Sequence, residues 1–207
     1  MPPPSTAQLR PCLLSGGQSL RMGTDKALLA HPGGGTWLEH GLGLLGRLGQ
    51  PVTLLSRHPH HGLLARQLAE RQGLCIEVLV EPAPWEGPLL ALTRLMAHHR
   101  GQRLLLAPVD MPWLRFETLQ QLVEAGLENP ETIQVAHDGQ RLQPLLGLYP
   151  ATATHCNSAE AFTARGGRSL LRWLRQSRNF SAVALDPLQL INANTPSDWP
   201  PRGNQSG

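Results

Sequence analysis

The residues in this 207-residue chain best suited to chemistry lie close to its start, in "SGGQSLRMGTDK" (15–26), directly after a short apolar run. Glycines let backbone N–H groups close around an anion as a nest of partial positive charge. Arg21 and Lys26 add full charges to it: a guanidinium can fork onto phosphate oxygens, and an ammonium acts on them as a point charge. The chemistry suggested is triphosphate binding, the bland alternative being a surface loop with incidental charges. Two common phosphate loops are excluded. Thr24 and Asp25 separate Gly23 from Lys26 and Ala27 follows, so there is no Gly-Lys-Ser/Thr, and no GxGxxG is present. A second candidate is Asp110 in "LLLAPVDMP" (104–112), a single carboxylate at the end of an apolar strand. It is either a helix cap or a hard oxygen ligand of the kind Mg²⁺ requires.

These residues need a scaffold, and the alternation of apolar runs with helix-like segments describes one. Strands are expected at 12–15, 51–56, 75–80, 103–108, 132–137, 145–149 and 180–185. Several are apolar at consecutive positions, as in strands covered on both faces. Between them, 37–48 reads as a helix capped by Thr36, although the glycines of "GLGLLGRLG" (41–49) each cost up to about 1 kcal/mol there. Leu63, Leu64 and Leu68 are expected to share one helix face, and Leu89, Leu92 and Met96 another, with a further helix over 115–125. The pattern predicts an α/β fold, a Rossmann-like three-layer αβα sandwich on a mostly parallel sheet, with ligands beyond the strands' carboxyl ends. One domain is expected over 10–199, flanked by disordered tails at 1–9 and 200–207.

Composition narrows the class. The net charge of +3 comes from scattered basic residues, which argues against nucleic-acid binding. Three well-separated cysteines without a CxxC pair argue for a reducing compartment. No apolar run approaches a membrane span and no signal peptide is evident, so a cytoplasmic protein is expected. His58, His60 and His61 fall on a Pro-containing polar stretch and are expected to be exposed rather than metal ligands.

"SGGQSLRMGTDK" also resembles the G-G-x-S-x-R-M-G-x-D-K signature of the molybdenum cofactor guanylyltransferases, nucleotidyltransferases with a Rossmann-like core. Further segments match in family order over about residues 11–199. "EPAPWEGPLLAL" (81–92) is similar to the family's acidic residue, spacer and Gly-Pro-Leu-Ala-Gly, with Glu81 where an aspartate contacts nucleotide and a spacer one residue short. Asp110 matches the aspartate of Pro-Cys-Asp-x-Pro, with Val109 in place of the cysteine, which implies a Mg²⁺ and nucleotide ligand. "RLQPLLGLYP" (141–150) resembles a His-Pro-x-x-x-Leu-Tyr/Trp strand with Gln143 in the histidine's place, and "NANTPSDW" (192–199) the family's Asn-x-Asn-Thr-Pro ending.

The resemblance implies transfer of GMP from GTP to Mo-molybdopterin with release of pyrophosphate, dependent on Mg²⁺. Arg21, Lys26 and Asp110 would carry the transfer. Leu14, Ser15, Gly16, Gly17, Ser56, Glu81, Gly87, Pro88 and Leu89 would surround the nucleotide. Asn192 and Asn194 would lie on the molybdopterin side; Arg165 and Arg168 in "RGGRSLLRWL" (165–174) would meet the pterin phosphate or stay solvated. Leu14-Ser15-Gly16-Gly17 and Gly87-Pro88-Leu89 favour guanine over the Ala-Ala-Gly and Gly-Leu-Ser segments of related cytidylyltransferases, with Ser15 departing from the usual alanine. Transient contact with molybdopterin-delivering or molybdoenzyme-maturation proteins would follow. The alternatives are cytidylyl or other nucleotidyl transfer, to molybdopterin or a sugar or polyol phosphate, and a non-enzymatic molybdopterin-binding maturation partner.

Overall fold

The computed structural model describes residues 8–16 and 25–193. Gly17, Arg21 and Asn194 lie outside these residues, as does most of both expected tails. All seven expected strands form: β1 Leu9–Leu14, β2 Val52–Ser56, β3 Ile76–Val80, β4 Arg103–Pro108, β5 Ile133–His137, β6 Leu142–Pro150 and β7 Phe180–Ala184. β1 thus begins inside the stretch expected to be a tail. The strands make one sheet in the order β3-β2-β1-β4-β6-β5-β7. Only β6 runs against its neighbours β4 and β5. The tight β5–β6 link explains that reversal: Asp138 Oδ1 accepts from the N–H groups of Gln140 and Arg141 at 2.8 and 2.7 Å, closing an Asp-Gly hairpin turn.

Among the described residues six α-helices cover the two faces: α1 Trp37–Gly46, α2 Pro59–Gln72, α3 Pro88–His98, α4 Phe116–Glu128, α5 Ala153–Ala164 and α6 Leu170–Ser177. Side chains alternate across each central strand and divide the core in two. Leu13, Leu54 and Leu105 join the cluster under α1, α2 and α4, while Cys12, Leu55, Leu104 and Leu106 join the cluster under α3, α5 and α6. This is the three-layer αβα arrangement. Among the described residues no helix is long and apolar enough to cross a membrane.

Local chemistry explains the helix boundaries. Thr36 caps α1 in a reciprocal box: its Oγ1 accepts from the Glu39 N–H at 3.2 Å, and Glu39 Oε2 accepts from the Thr36 N–H at 2.8 Å. The helix tolerates Gly41 because a Cβ there would meet Leu13 Cδ1 at 3.1 Å, so glycine lets α1 lie close on β1. In α2 the expected face is rotated. His61, Ala65 and Leu68 point inward while Leu63 is 59% exposed. The helix starts at Pro59, and the inward-facing His61 meets Asp25, its Nε2 2.8 Å from Asp25 Oδ2.

Candidate active site

The sheet builds the site by register. β1 pairs with β4 from Leu9↔Arg103 to Leu14↔Pro108, so the two strands finish level. The Val109 N–H extends this ladder to the Leu14 carbonyl at 3.0 Å, and Ser15 and Asp110 emerge beside each other. On the other side the Ser15 N–H reaches the Leu55 carbonyl at 3.0 Å, and the Glu81 N–H the Ser56 carbonyl at 2.9 Å. Chain order reverses between β1 and β4, which makes this the topological switch point of the sheet. A cavity of about 440 Å³ opens there, with Ser15, Gly16, Lys26, Glu81, Gly87 and Asp110 in its walls.

Lys26 stands on a short 3-10 turn, Lys26–Leu28, capped by Asp25, whose Oδ1 accepts the Ala27 N–H at 3.1 Å. Its Nζ lies 3.8 Å from Asp110 Oδ2. Asp110 Oδ1 is buried and has no hydrogen-bond partner among the described residues. Burial pushes the Asp110 carboxyl above its usual range, against the opposing pull of Lys26. A hard oxygen with no partner, beside a cation and a cavity, is a donor suited to Mg²⁺, so the residues present fit that ion. Glu81 is also raised by burial, opposed by Arg94, whose Nη1 donates to Glu81 Oε1 at 3.2 Å. Its Oε2 lies against Gly16, where a Cβ would sit only 2.8 Å away; a side chain there would displace the carboxylate.

Not every expected site residue faces the cavity. Leu14, Ser15, Gly16, Lys26, Glu81, Gly87, Pro88 and Asp110 line it, whereas Leu89 and Ser56 do not. Leu89 is fully buried in the core against the sheet, because α3 turns it inward with Leu92 and Met96. Ser56 acts on the loop itself: its hydroxyl donates to the Ser15 carbonyl at 2.7 Å. Arg168 is exposed beside the cavity, ion-paired with Glu86 and bonded to the carbonyls of Thr163 and Gly167 at 2.9 and 3.0 Å. Arg165 is exposed at the end of α5. Asn192, expected on the acceptor side, is exposed, its Nδ2 3.5 Å from Oε1 of Gln143, the residue standing in the place of the family's histidine.

The histidines correct the expectation of an exposed loop. His61 is 1% exposed, and His60 alone of the three is exposed. His61 Nδ1 lies 3.0 Å from Ser15 Oγ and 2.8 Å from Ser56 Oγ, while Nε2 lies 2.8 Å from Asp25 Oδ2. Ser15 is therefore not an idle substitution for alanine, since its hydroxyl has a buried partner. The residues that sequence reasoning missed are Asp25, Arg57 and Trp85, all on the cavity wall, with the Arg57 guanidinium 5.2 Å from the Trp85 ring centroid. Asp25 was visible as the Asp of Asp-Lys, and Arg57 as the first residue past β2.

Comparison with known proteins agrees with this arrangement. Residues 12–179 match the family described as MobA-like NTP transferase domain. A curated protein of Rhodopirellula baltica, named "Probable molybdenum cofactor guanylyltransferase", is 35% identical over 206 residues, covering 97% of this chain and 94% of that protein. Among solved structures, molybdopterin-guanine dinucleotide biosynthesis protein A of Archaeoglobus fulgidus superposes with a TM-score of 0.67 at 19% identity, over 91% of this chain and 94% of the other. The 4-diphosphocytidyl-2C-methyl-D-erythritol synthase of Anaerococcus prevotii gives 0.69 at 13% identity, over 93% of each chain. At those identities the two structures show a shared fold.

Proposed function

Because the chain belongs to the family of MobA-like NTP transferase domains and is a nucleotidyltransferase, we propose that it transfers GMP from GTP to Mo-molybdopterin with release of pyrophosphate. The observation that carries this reading is the β1–β4 register, which sets Ser15, Gly16, Lys26 and Asp110 around one cavity, with Asp110 Oδ1 lacking a hydrogen-bond partner among the described residues. The acceptor is a phosphate monoester, mostly dianionic at neutral pH because its second pKa is about 6. Its oxygen forms a bond to the α-phosphorus of GTP, the bond to the bridging oxygen breaks, and the electron pair leaves with pyrophosphate. No proton has to be removed, so the chain's task is positioning and charge compensation.

Each residue has a part in that task. Lys26 neutralises phosphate charge, and Gly16 gives the backbone a close approach to the nucleotide. Arg21 adds a guanidinium by resemblance. Asp110 would hold Mg²⁺, which supplies Lewis-acid neutralisation of triphosphate oxygens. Binding a cation there also draws the raised Asp110 carboxyl back to its charged form. Glu81 supports guanine: a carboxylate accepts from the N1–H and 2-amino group together, whereas cytosine presents a ring nitrogen that repels it. Gln143 and Asn192, which meet beside the cavity strands, would belong to the acceptor side with Asn194. The enzyme is expected to work in the cytoplasm and to meet molybdopterin-delivering or maturation proteins transiently.

The test is Mg²⁺-dependent pyrophosphate release with Mo-molybdopterin and each of GTP, CTP, ATP and UTP. Release with GTP alone is expected. Release confined to CTP overturns the base assignment, and nucleotide binding without turnover on intact Mo-molybdopterin overturns the transfer itself.

A further inference from the structure

Beside the Lys26 turn, three donor atoms of the kind that bind transition metals converge from two segments distant in sequence. Asp25 Oδ2 lies 2.8 Å from His61 Nε2 and 3.2 Å from His60 Nε2, and donor atoms of the three residues all lie within 4.8 Å of one another. A tetrahedral ion with bonds of about 2.0–2.1 Å to imidazole and carboxylate sets its donors about 3.3 Å apart. Small adjustments would therefore seat one. The far side of two ligands is already engaged, as in outer-shell support of a metal site. His61 Nδ1 lies 2.8 Å from Ser56 Oγ and 3.2 Å from the Ser15 carbonyl, and Asp25 Oδ1 accepts the Ala27 N–H at 3.1 Å.

We propose that Asp25, His60 and His61 form a binding site for a zinc-class divalent ion, separate from the Asp110 position and set against the turn that carries Lys26. Two imidazoles with one carboxylate suit Zn²⁺ and disfavour Mg²⁺, which takes oxygen ligands. Three protein ligands leave a fourth position for water or an anion. The ion ties the start of α2 to the residue beside Lys26, at the cavity wall to which Asp25 belongs.

The competing account is that protons alone hold the cluster, with Ser15 Oγ–H donating to His61 Nδ1 and His61 Nε2–H donating to Asp25. The accounts diverge at His60, which is exposed and adds only a surface hydrogen bond unless a metal is bound. A second cluster supplies an internal control. Glu77, His98 and His99 bring the same donor types together, but Arg10 Nη1 lies 3.9 Å from Glu77 Oε2 and His99 Nε2 is engaged by Thr53 Oγ1 at 2.9 Å. A guanidinium already answers that carboxylate.

The experiment is a competition titration of the full, untagged chain with Zn²⁺ and a chromogenic zinc indicator, in millimolar Mg²⁺, after chelator treatment and its removal. Wild type and His98→Gln should each hold one tight equivalent and gain thermal stability from it. His60→Gln should match wild type in thermal stability without zinc, bind at least about tenfold more weakly, and lose the zinc-induced gain. No tight equivalent in wild type, unchanged affinity in His60→Gln, or loss in His98→Gln with retention in His60→Gln would each overturn the site.

Discussion

The two ends of the sheet carry similar polar residues and treat them differently. At the amino ends of the strands Glu77 and Arg103 each meet a partner. Glu77 faces His98 at 2.8 Å and Arg10 at 3.9 Å, and the buried Arg103 donates to the Gly126 carbonyl at 3.2 Å. Burial would raise Glu77, and the neighbouring histidines and Arg10 more than reverse it, holding its carboxyl below the usual range. At the carboxyl ends, Asp110 and Glu81 are both raised by burial, and the cations that oppose it, Lys26 at Asp110 and Arg94 with Arg57 at Glu81, do not compensate. One end is settled electrostatics that joins strands to helices. The other keeps carboxylates in an environment that a bound cation or ligand would relieve, which is the pattern expected of a functional site.

Substitutions that break this contrast should show the largest effects at the carboxyl end. Asp110→Asn is expected to lower pyrophosphate release about 10³-fold, by removal of the metal-facing oxygen. Thermal denaturation should show a melting temperature equal to or above wild type, because a buried charge is removed with it. Glu77→Gln, made in parallel, should leave release within about twofold. Lys26→Ala should cost about 10²-fold in turnover while the fold stays intact. It should also destabilise the protein where Asp110→Asn does not, since it leaves the Asp110 charge buried without its cation. Glu81→Gln is expected to weaken GTP about tenfold relative to CTP, measured as the ratio of kcat/KM values, with turnover at saturating GTP little changed. An unchanged ratio would remove Glu81 from base selection.

What the sequence made legible follows from where its signals are local. β2 and β4 could be read because short consecutive apolar runs mark strands buried on both faces, and Thr36 and Leu89–Met96 because caps and helical spacing are written in adjacent residues. α5 could not: of its buried side chains His155, Cys156 and Ala159 are small or polar, leaving Phe162 as the one large apolar residue, and they lie among Asn157, Ser158 and Glu160 without a clear apolar stripe. The direction of β6 depends on its partners, which no run of letters states. At the site, Lys26, Gly16 and Asp110 were readable from a glycine loop and a strand end. Their juxtaposition came only from the β1–β4 register. The partnership of Asp25, His61 and Ser15 spans 46 residues at most and turned a stretch read as exposed into a buried network.

The smallest effect belongs to the amino end and reports on stability rather than turnover. His99 is 4% exposed, and burial, Arg10 and His98 bring its pKa down to about 4, opposed by Glu77. The folded protein therefore keeps His99 neutral to about pH 4, whereas the unfolded chain takes up a proton below about 6.5. Between these values the unfolded state binds more protons, so stability falls on acidification across that window and is independent of His99 above it. His40, also lowered to about 4 by burial, contributes with the same sign. Each group contributes at most about 1.4 kcal/mol per pH unit. His99→Gln should flatten the slope of unfolding free energy between pH 6.5 and 4.5 without abolishing it, in urea titrations at several pH values. Pyrophosphate release at pH 7.5 should stay within about twofold of wild type. A full-strength slope in His99→Gln would show that the amino end is not holding a neutral imidazole, and would dissolve the contrast between a settled end and a working one.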